Sequence, residues 1–433
     1  MNRPASAAGR LWRNALFGGS LTWRLLSDSV AGRRASRRTR SPSTAVIVGG
    51  ELFNKGAQAM TFTVVDQLRR RHPGLEPVLL SGRDFARPAS ERERYSFEIL
   101  PWGTEVRTRM LAPWMAGVVP GRWPPAAVSR VREVLARSRW LLDVDGYALT
   151  SAFGFRTSLS YLSDLAVARR FGIPAYLLPQ SFGPFEYSPV PKTVLEPFLR
   201  VYLPYPQRIW AREEVGARLL SRYTDDNVER SPDLVLQHGS YRSDNLYRSS
   251  PPDRLPKIAP NGAGSVTDSQ VLHHGRARDL WPAYRAIVHA LLDAGKVVYV
   301  FRHATEDLNL CREIKGLFPH EARVVLLEED FDALELERII GRLELVVASR
   351  YHSLVHAYRT RVPALILGWA AKYGELASTF GQSEYVYDAR EGLPPDRLAE
   401  AARSLARRRH EESAKIGERL GPIRRRPVLD RLH

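Results

Sequence analysis

Residues 343–368 read LELVVASRYHSLVHAYRTRVPALILG and contain the pattern that decides the fold. An apolar run at 345–348 is followed by a polar turn and then by apolar residues at helical spacing between 354 and 358. A second apolar run occupies 364–367. This order predicts a strand, a turn, a short helix and a second strand, which is the parallel βαβ unit of α/β proteins.

Arg350 and His352 stand at the turn of this unit, where the strand's carboxyl end meets the helix's amino end. Ligands collect at this edge of open α/β sheets, and free N–H groups together with the helix dipole favour an anion there. A guanidinium fork and an imidazole suit a phosphate or a carboxylate. A structural Arg–His pair that caps the helix is an equally favoured interpretation.

Composition excludes several classes of protein. The 433 residues suffice for two or three domains, and 44% hydrophobic residues is ordinary for a soluble globular chain. One cysteine, Cys311, excludes a disulfide framework and a cysteine-based zinc site, and it favours a reducing compartment. No apolar run approaches the ~20 residues that span a bilayer. We therefore expect a cytoplasmic protein, with peripheral attachment at the inner face of the membrane as a further expectation.

The net charge of +17 is concentrated at the chain ends. Residues 1–41 hold nine arginines and one acid, Asp28, for a local charge of +8. A balanced middle favours a surface or membrane role, and no helix-turn-helix, zinc-finger or RNP motif indicates nucleic-acid binding. We expect residues 1–41 to be a basic arm separate from the fold, either disordered or peripheral on an anionic membrane, in preference to a transit peptide.

The first α/β pattern begins near residue 44. A strand at 45–48 leads through two glycines to Asn54-Lys55-Gly56-Ala57 and a helix. The stretch lacks both the GxGxxG fingerprint and the GxxxxGK[ST] loop, which argues against nicotinamide cofactors and P-loop nucleotides. Asn54 and Gln58 could hydrogen-bond a polyhydroxylated ligand, or they could cap the helix.

Further polar residues follow later strands of the first half. A strand at 140–144 carries Asp143 and Asp145, which share one face of an extended chain. They could bind a metal or act as a base; alternatively Asp143 caps the next turn and Asp145 alone meets the ligand. We expect no metal, because too few further ligands converge. Gln180 and Arg212 also follow strands, and we assign both to ligand binding with Asp145.

Strands and helices alternate again after a polar stretch at 238–256, which we interpret as an interdomain linker. In this second half Arg302 and Lys372 also fall near strand ends. The predicted fold class is α/β, with two Rossmann-like domains and an interdomain cleft. The predicted boundaries are a basic arm at 1–41, an N-terminal domain at 42–240 and a C-terminal domain at 257–425.

Taken together, the motifs resemble those of the polysaccharide pyruvyl transferase family over roughly residues 44–385. The matching pieces are Asn54-Lys-Gly-Ala-Gln-Ala-Met60, Asp143-Val-Asp-Gly146, Pro179-Gln-Ser-Phe-Gly-Pro184, Trp210-Ala-Arg212 with Glu213, Ser231-Pro-Asp233, Ser349-Arg-Tyr-His352, Arg361-Val-Pro363 and Lys372. Departures occur at Gly146-Tyr147, where the family often has Gly-Gly, and in Asn-Lys-Gly. Both departures lie where the acceptor would be selected, so the resemblance does not identify the acceptor sugar.

The resemblance implies a GT-B-like fold and an enzyme that moves pyruvate from phosphoenolpyruvate onto a sugar as a ketal, releasing phosphate. It places Arg350 and His352 at the phosphoenolpyruvate site, to which we add Arg302 and Lys372. The sugar would belong to an exopolysaccharide or another cell-envelope polysaccharide, or to its lipid-linked precursor. No cofactor is expected beside this donor substrate.

Each group has an expected role in this chemistry. An imidazole, with an unperturbed pKa of about 6.5, could give a proton to the enol carbon or to the leaving phosphate, which assigns His352. Arg350 would stabilise the departing negative charge. Asp143 or Asp145 would accept a hydroxyl proton. The acceptor side would comprise Asn54, Gln58, Asp145, Gln180 and Arg212.

Two alternatives remain open from the sequence. One is a GT-B glycosyltransferase that uses a nucleotide sugar, because it would have the same cleft and basic phosphate site. The other is a non-catalytic member that binds a sugar or an anion. Two smaller questions concern the residues around the site: Arg302 and His303 are equally well interpreted as surface or cap residues, and His356 is expected to be a packed helix residue.

Overall fold

The computed structural model describes residues 7–31, 42–115, 117–249, 251 and 254–433. The described residues fall into two compact units. The N-terminal unit is drawn from Met1–Glu51, Thr61–Ser231 and Tyr241–Pro251, and the C-terminal unit from Leu52–Met60, Pro232–Ser240 and Pro252–His433. Two short segments of the predicted N-terminal domain 42–240 thus belong to the C-terminal unit.

The N-terminal unit is built on a seven-stranded parallel sheet in the order β3-β2-β1-β4-β5-β6-β7. Its strands are β1 (Thr44–Val48), β2 (Glu76–Leu80), β3 (Glu98–Leu100), β4 (Ser138–Asp143), β5 (Ala175–Gln180), β6 (Arg208–Ala211) and β7 (Val228–Arg230). The winding reverses between β1 and β4, so the carboxyl ends of these neighbours form the ligand-binding edge expected of an open α/β sheet.

Helices cover this sheet and complete its apolar core. They are α1 (Ala7–Ala31), α2 (Lys55–Arg71), α3 (Gly82–Phe85), α4 (Ala89–Arg92), α5 (Thr104–Leu111), α6 (Pro125–Arg137), α7 (Phe155–Phe171), α8 (Pro189–Tyr202), α9 (Glu214–Leu220) and α10 (Ser243–Leu246). The first turns of α2 belong to the C-terminal unit, and the rest of that helix to the N-terminal unit.

Helix α1 corrects the prediction of a basic arm separate from the fold. Phe17, Leu21 and Leu25 recur at helical spacing and are buried in the core of the N-terminal unit. Asp28 is also buried, and it accepts hydrogen bonds from Arg24 of the same helix and from the Tyr202 hydroxyl. The apolar residues therefore form a docking stripe. Residues 1–6 and 32–41 of the predicted arm lie outside the described residues.

The C-terminal unit contains a six-stranded parallel sheet in the order β10-β9-β8-β11-β12-β13. Its strands are β8 (Gly262–Thr267), β9 (Val297–Arg302), β10 (Val324–Leu327), β11 (Leu345–Ala348), β12 (Ala364–Gly368) and β13 (Val386–Asp388). Its helices are α11 (Gln270–His274), α12 (Ala277–Asp293), α13 (Leu308–Gly316), α14 (Ala333–Ile340), α15 (Tyr351–Arg359), α16 (Ala371–Thr379) and α17 (Pro395–Arg424).

The βαβ unit predicted at 343–368 is confirmed as β11, α15 and β12. In this second sheet the winding reverses between β8 and β11, so the Arg350–His352 turn lies at the reversal. Both sheets are parallel and flanked by helices, and the prediction of two Rossmann-like domains is confirmed. No described helix has the length and apolarity that crossing a membrane requires.

The predicted linker at 238–256 is not a loose connection in its described part. The side chain of Asn245 donates a hydrogen bond of 2.7 Å to Asp66 Oδ1, and Tyr247 stacks on Tyr95 within the N-terminal unit. His238 and Gly239 accept hydrogen bonds from Arg359 within the C-terminal unit. The polar composition therefore reflects specific side-chain contacts rather than a free linker.

Candidate functional site

His352 lies in the first turn of α15, at the reversal point of the C-terminal sheet. Its Nε2 atom is 3.6 Å from Oδ2 of Asp233, a fully buried carboxylate. The other oxygen of Asp233 accepts a hydrogen bond from the backbone N–H of Val235, 2.9 Å away. The carboxylate is thus held by its own turn, and it orients the imidazole so that Nδ1 faces the opposite side.

The first turn of α2 lies against that opposite side of His352. A Cβ placed on Gly56 would be 2.2 Å from His352 Nδ1, so only glycine allows this approach. Asn54 caps the turn, because its Oδ1 accepts a hydrogen bond of 3.0 Å from the Gly56 N–H. The capping interpretation of Asn54 is therefore confirmed. The α2 amino end, with its partial positive charge, meets the imidazole.

Two cations share one exposed carboxylate beside this turn. Lys55 Nζ is 3.0 Å and Arg302 Nη2 is 3.8 Å from Asp330 Oδ1. The Lys55 side chain is nearly buried, whereas the Asp330 side chain is 54% exposed. The Nε atom of Arg302 is buried and has no hydrogen-bond partner among the described residues. The pair of cations therefore carries more positive charge than Asp330 balances.

Two further histidines are packed behind His352. His303 is buried, and burial together with the charges of His356 and His352 holds its pKa well below the usual range. The His303 and His356 rings are 5.8 Å apart, and His356 Nδ1 is 3.3 Å from Glu337 Oε2. The prediction that His356 is a packed helix residue is confirmed, and the surface interpretation of His303 is wrong.

Arg350 is enclosed by carboxylates instead of facing an open anion site. Its Nε and Nη2 donate to both oxygens of Asp307 at 2.8 and 2.7 Å, and Nη2 also reaches Glu306 at 2.9 Å. Asp268 adds an ion pair at 3.2 Å. Burial opposes the charge, but these carboxylates outweigh it and raise the pKa of Arg350. These contacts give Arg350 a role in positioning the turn before α15, and its predicted role as a donor ligand stays a prediction.

Lys372 is held among aromatic rings at the start of α16. Its Nζ lies 4.9 Å from the ring centre of Trp369, 5.4 Å from that of Tyr351 and 5.7 Å from that of Tyr373. Trp369 in turn donates a hydrogen bond of 3.1 Å to Asp268. These cation–π contacts position the ammonium group, and its predicted role at the donor site stays a prediction.

In the N-terminal unit, Asp143 ends β4 and Asp145 follows it, at the reversal point of the sheet. Asp143 is buried, and its Oδ1 accepts a hydrogen bond of 2.8 Å from the Asp145 N–H. Burial and the neighbouring charge of Asp145 raise the pKa of Asp143 well above its usual range. Burial also raises the pKa of Asp145, to about 7, and its side chain keeps some exposure. The alternative in which Asp143 closes a turn and Asp145 meets the ligand fits this geometry.

The remaining predicted acceptor residues have structural contacts. Gln58 is buried in the C-terminal unit and accepts a hydrogen bond of 2.9 Å from the first N–H of α14. Gln180 is fully buried and accepts one of 2.9 Å from the Tyr161 hydroxyl. Arg212 is buried and donates to Ser181 Oγ at 2.8 Å and to a backbone carbonyl. The contacts of Gln180 and Arg212 hold the loops after β5 and β6, and that of Gln58 holds the start of α14. Direct acceptor binding by these three side chains stays a prediction.

Sequence reasoning missed the contributions of Lys55 and Asp233. Both were visible as parts of motifs, Asn54-Lys-Gly and Ser231-Pro-Asp233, but their distance in sequence from His352 hid the contact. The described residues contain no group of three or more histidine, cysteine, aspartate or glutamate side chains arranged to hold a metal ion.

Comparisons with solved structures agree with the fold. A UDP-N-acetylglucosamine 2-epimerase superposes with a TM-score of 0.55 at 13% identity, covering 91% of this chain and 96% of that one. MnaA of S. aureus, in a co-structure with UDP, gives 0.54 at 10% identity, covering 86% and 91%. The glycotransferase of kitacinnamycin gives 0.50 at 13% identity, covering 89% and 94%. These similarities establish a GT-B-like pair of Rossmann-like domains.

No curated protein matches the chain. A family model described as polysaccharide pyruvyl transferase, however, matches residues 54–370, which is well over half of the sequence. The matched range runs from the asparagine that caps α2 to the strand end beyond α15, and so includes Lys55, Asp233 and His352. The chain belongs to the polysaccharide pyruvyl transferase family.

Proposed function

We propose that the protein transfers pyruvate from phosphoenolpyruvate to a sugar of a polysaccharide, or of its lipid-linked precursor, as a ketal, with release of phosphate. The observation that carries the proposal is the arrangement at the α2 amino end. A histidine oriented by a buried carboxylate, a nearly buried lysine and an arginine meet at a helix amino end. Family membership supports the same class of reaction.

The donor brings a phosphate and a carboxylate, so its site must be cationic. Lys55 and Arg302 supply the charge, because the two cations share a single carboxylate, the half-exposed Asp330. The N–H groups in the first turn of α2 add a partial positive charge. Arg350 orients the turn before α15 through its carboxylate partners and is a positioning residue in this proposal.

The chemistry requires balanced proton transfers. His352, as imidazolium, donates a proton to C3 of the enol, and the first sugar hydroxyl attacks C2 and loses its proton. The C2–O bond to phosphate then breaks, and Lys55 and Arg302 stabilise the charge that develops on the leaving oxygen. A second hydroxyl attacks C2 and closes the ketal. Of the two hydroxyl protons, one restores the histidine, and the other is taken up by a base and passed on to the departing phosphate.

Asp145 is the group that we assign as base for the acceptor hydroxyl. A carboxylate with a pKa of about 7 is half ionised near neutral pH, so it can accept a proton that an ordinary surface aspartate would not hold. Burial and the charge of Asp145 raise the pKa of Asp143 well above its usual range as well. Asp143 closes the turn by accepting a hydrogen bond from the Asp145 N–H, so we assign the two carboxyl groups different roles.

The test incubates the protein with phosphoenolpyruvate and a panel of sugar acceptors and follows inorganic phosphate together with acid-labile pyruvate on the sugar. We expect stoichiometric phosphate and ketal with at least one acceptor, and a loss of turnover on the order of 10² or more in His352→Asn. Turnover with UDP- or GDP-sugars and none with phosphoenolpyruvate would instead support a glycosyltransferase. Binding of phosphoenolpyruvate without any turnover would support a non-catalytic protein.

A further inference from the structure

Helix α1 exposes apolar side chains on the side opposite its buried stripe. Trp23 and Leu26 point away from the core, and Trp23 meets Trp114, which follows α5, with ring centres 6.2 Å apart. Val118 continues the exposed surface close by in sequence. These four side chains are 44–67% exposed. We call this set, Trp23, Leu26, Trp114 and Val118, the tryptophan patch.

A helix that only covers its domain does not need the exposed apolar side chains of the tryptophan patch. Such a helix presents an apolar stripe to the core and polar residues to solvent. In α1, Phe17, Leu21 and Leu25 already satisfy the core, so Trp23 and Leu26 are not needed for packing. Exposed apolar side chains that cluster in this way mark an interaction surface.

The charge of the sequence in and after α1 indicates the partner. No acid precedes Asp28 in the sequence, and Asp28 itself is buried and paired with Arg24. Directly after α1 the chain carries five arginines between residues 33 and 40 and no acid. Tryptophan favours the headgroup region of a bilayer, and arginines beside it favour anionic lipids.

We propose that the tryptophan patch docks the N-terminal unit on an anionic lipid surface, with the arginines that follow α1 adding electrostatic attraction. A second copy of the chain fits less well. Two copies of the chain would each carry a net charge of +17, and like charges repel. The proposal is independent of the reaction assigned above, since none of these residues belongs to the catalytic or binding groups.

Vesicle flotation tests this proposal with the full-length chain. The probes are phosphatidylcholine vesicles with and without 30% phosphatidylglycerol. We expect the protein to float with the anionic vesicles, to remain behind with the neutral ones, and to be released by 0.5 M salt because the charges are screened. The variant Trp23→Ser/Leu26→Ser/Trp114→Ser should lose at least about tenfold in partition.

Matched controls distinguish the effect of the patch on vesicle binding from the effects of other exposed apolar side chains and of charge. Val190→Ser/Val194→Ser/Val215→Ser removes three other side chains of the N-terminal unit that are 44–73% exposed, and it should bind as the parent does. Replacing Arg33, Arg34 and Arg37 by serine should weaken binding to anionic vesicles about fivefold for each arginine. All variants are expected to unfold at the parent's temperature because the replaced patch side chains are exposed.

Three results would overturn the proposal: no flotation of the parent with anionic vesicles, unchanged flotation of the patch variant, or equal loss in the Val190/Val194/Val215 control. Light scattering provides a further test, because it measures whether the protein is a monomer or a dimer. If the parent is a dimer and the patch variant a monomer, the patch is a contact between copies and the lipid proposal is wrong. Phosphate release from soluble acceptors should be equal in the parent and the patch variant.

Discussion

The Nε2 atom of His352 lies 3.6 Å from Oδ2 of Asp233, although about 120 residues separate the two in the chain. The carboxylate is buried and its other oxygen closes its own turn, so its position does not depend on the histidine. A carboxylate in this place fixes the orientation of the imidazole and stabilises its protonated form. Asp233 is therefore a positioning residue for the proposed proton donor.

Asp233→Asn tests this relationship. Asparagine keeps the oxygen that accepts the Val235 N–H but removes the negative charge beside His352. We expect kcat to fall on the order of 10², with little change in KM for phosphoenolpyruvate. Asp233→Glu should restore part of the rate; full activity in Asp233→Asn would remove this residue from the mechanism.

Gly56→Ala tests the approach of α2 to His352. The added methyl group would lie 2.2 Å from Nδ1 and 2.5 Å from Cγ of the imidazole, so the ring must move. We expect a loss of kcat of about 10² or more, since displacement of a reacting group by about 1 Å has that effect. Gly74→Ala is the matched control because no heavy atom lies within 4 Å of its added Cβ. Equal rates in the two variants would contradict the assigned position of His352.

Lys55→Met tests the donor site. Methionine preserves much of the side-chain volume but removes the charge that now pairs with Asp330 at 3.0 Å. We expect KM for phosphoenolpyruvate to rise about tenfold or more, as for a lost hydrogen bond to a charged group. The control is Lys192→Met, on the exposed surface of α8. Isothermal titration measures the affinity of both variants for phosphoenolpyruvate. Unchanged affinity in Lys55→Met would mean that Lys55 does not belong to the donor site.

Asp145→Asn tests the base through both activity and stability. Activity should rise as pH increases through about 7, where Asp145 loses its proton, and the variant should lack this rise. Between the ordinary value of 3.8 and about 7 the folded chain holds a proton that the unfolded chain has released. Stability therefore falls as pH rises through this window. The variant avoids that loss.

The measurement for Asp145→Asn is the difference in unfolding temperature from the parent, recorded from about pH 4 to about pH 8. We expect the difference to grow in favour of the variant as pH rises. Asp225→Asn, an exposed carboxylate in the same unit, should show neither effect. A pH-independent difference would mean that Asp145 titrates at an ordinary value and is not the base.

Arg350→Ala distinguishes a positioning role from donor binding. Its removal leaves Asp268 and Asp307 buried without their cation, which costs about 3–5 kcal/mol in unfolding free energy. Urea unfolding followed by circular dichroism measures the loss. Arg312→Ala, which breaks an exposed pair with Glu328, should change stability little. If stability in Arg350→Ala is retained and only KM for phosphoenolpyruvate rises, Arg350 is a donor ligand after all.

The sequence predicted the sheets better than it predicted the site. Apolar runs located β1, β4, β11 and β12, but β8, Gly262–Thr267, has no such run. Its small residues are not typical of a strand. They are needed because the strand is crowded: a Cβ on Gly264 would lie 2.6 Å from Leu343 Cδ1.

Side-chain roles at the site depend on partners that local spacing does not show. Arg350 stands where an anion ligand is expected, yet Asp268, Glu306 and Asp307 come from other loops and occupy its guanidinium. Gln58 was expected to face a ligand, but it meets the start of α14, far along the chain. His352 and Asp145 were identified as candidates because each follows an apolar strand, and the structure shows both of these strands at the reversal point of their sheets.

The two units are interleaved along the chain, because segments 52–60 and 232–240 belong to the C-terminal unit. A fragment expressed from residue 257 onward would have the complete second sheet and His352. It would lack Lys55, Gly56 and Asp233. A cut at that point, natural for a two-domain protein, would yield a product without three residues of the proposed donor site. Separate expression of the two units will have to rejoin those two peptides to the carboxyl half, by circular permutation or by added linkers.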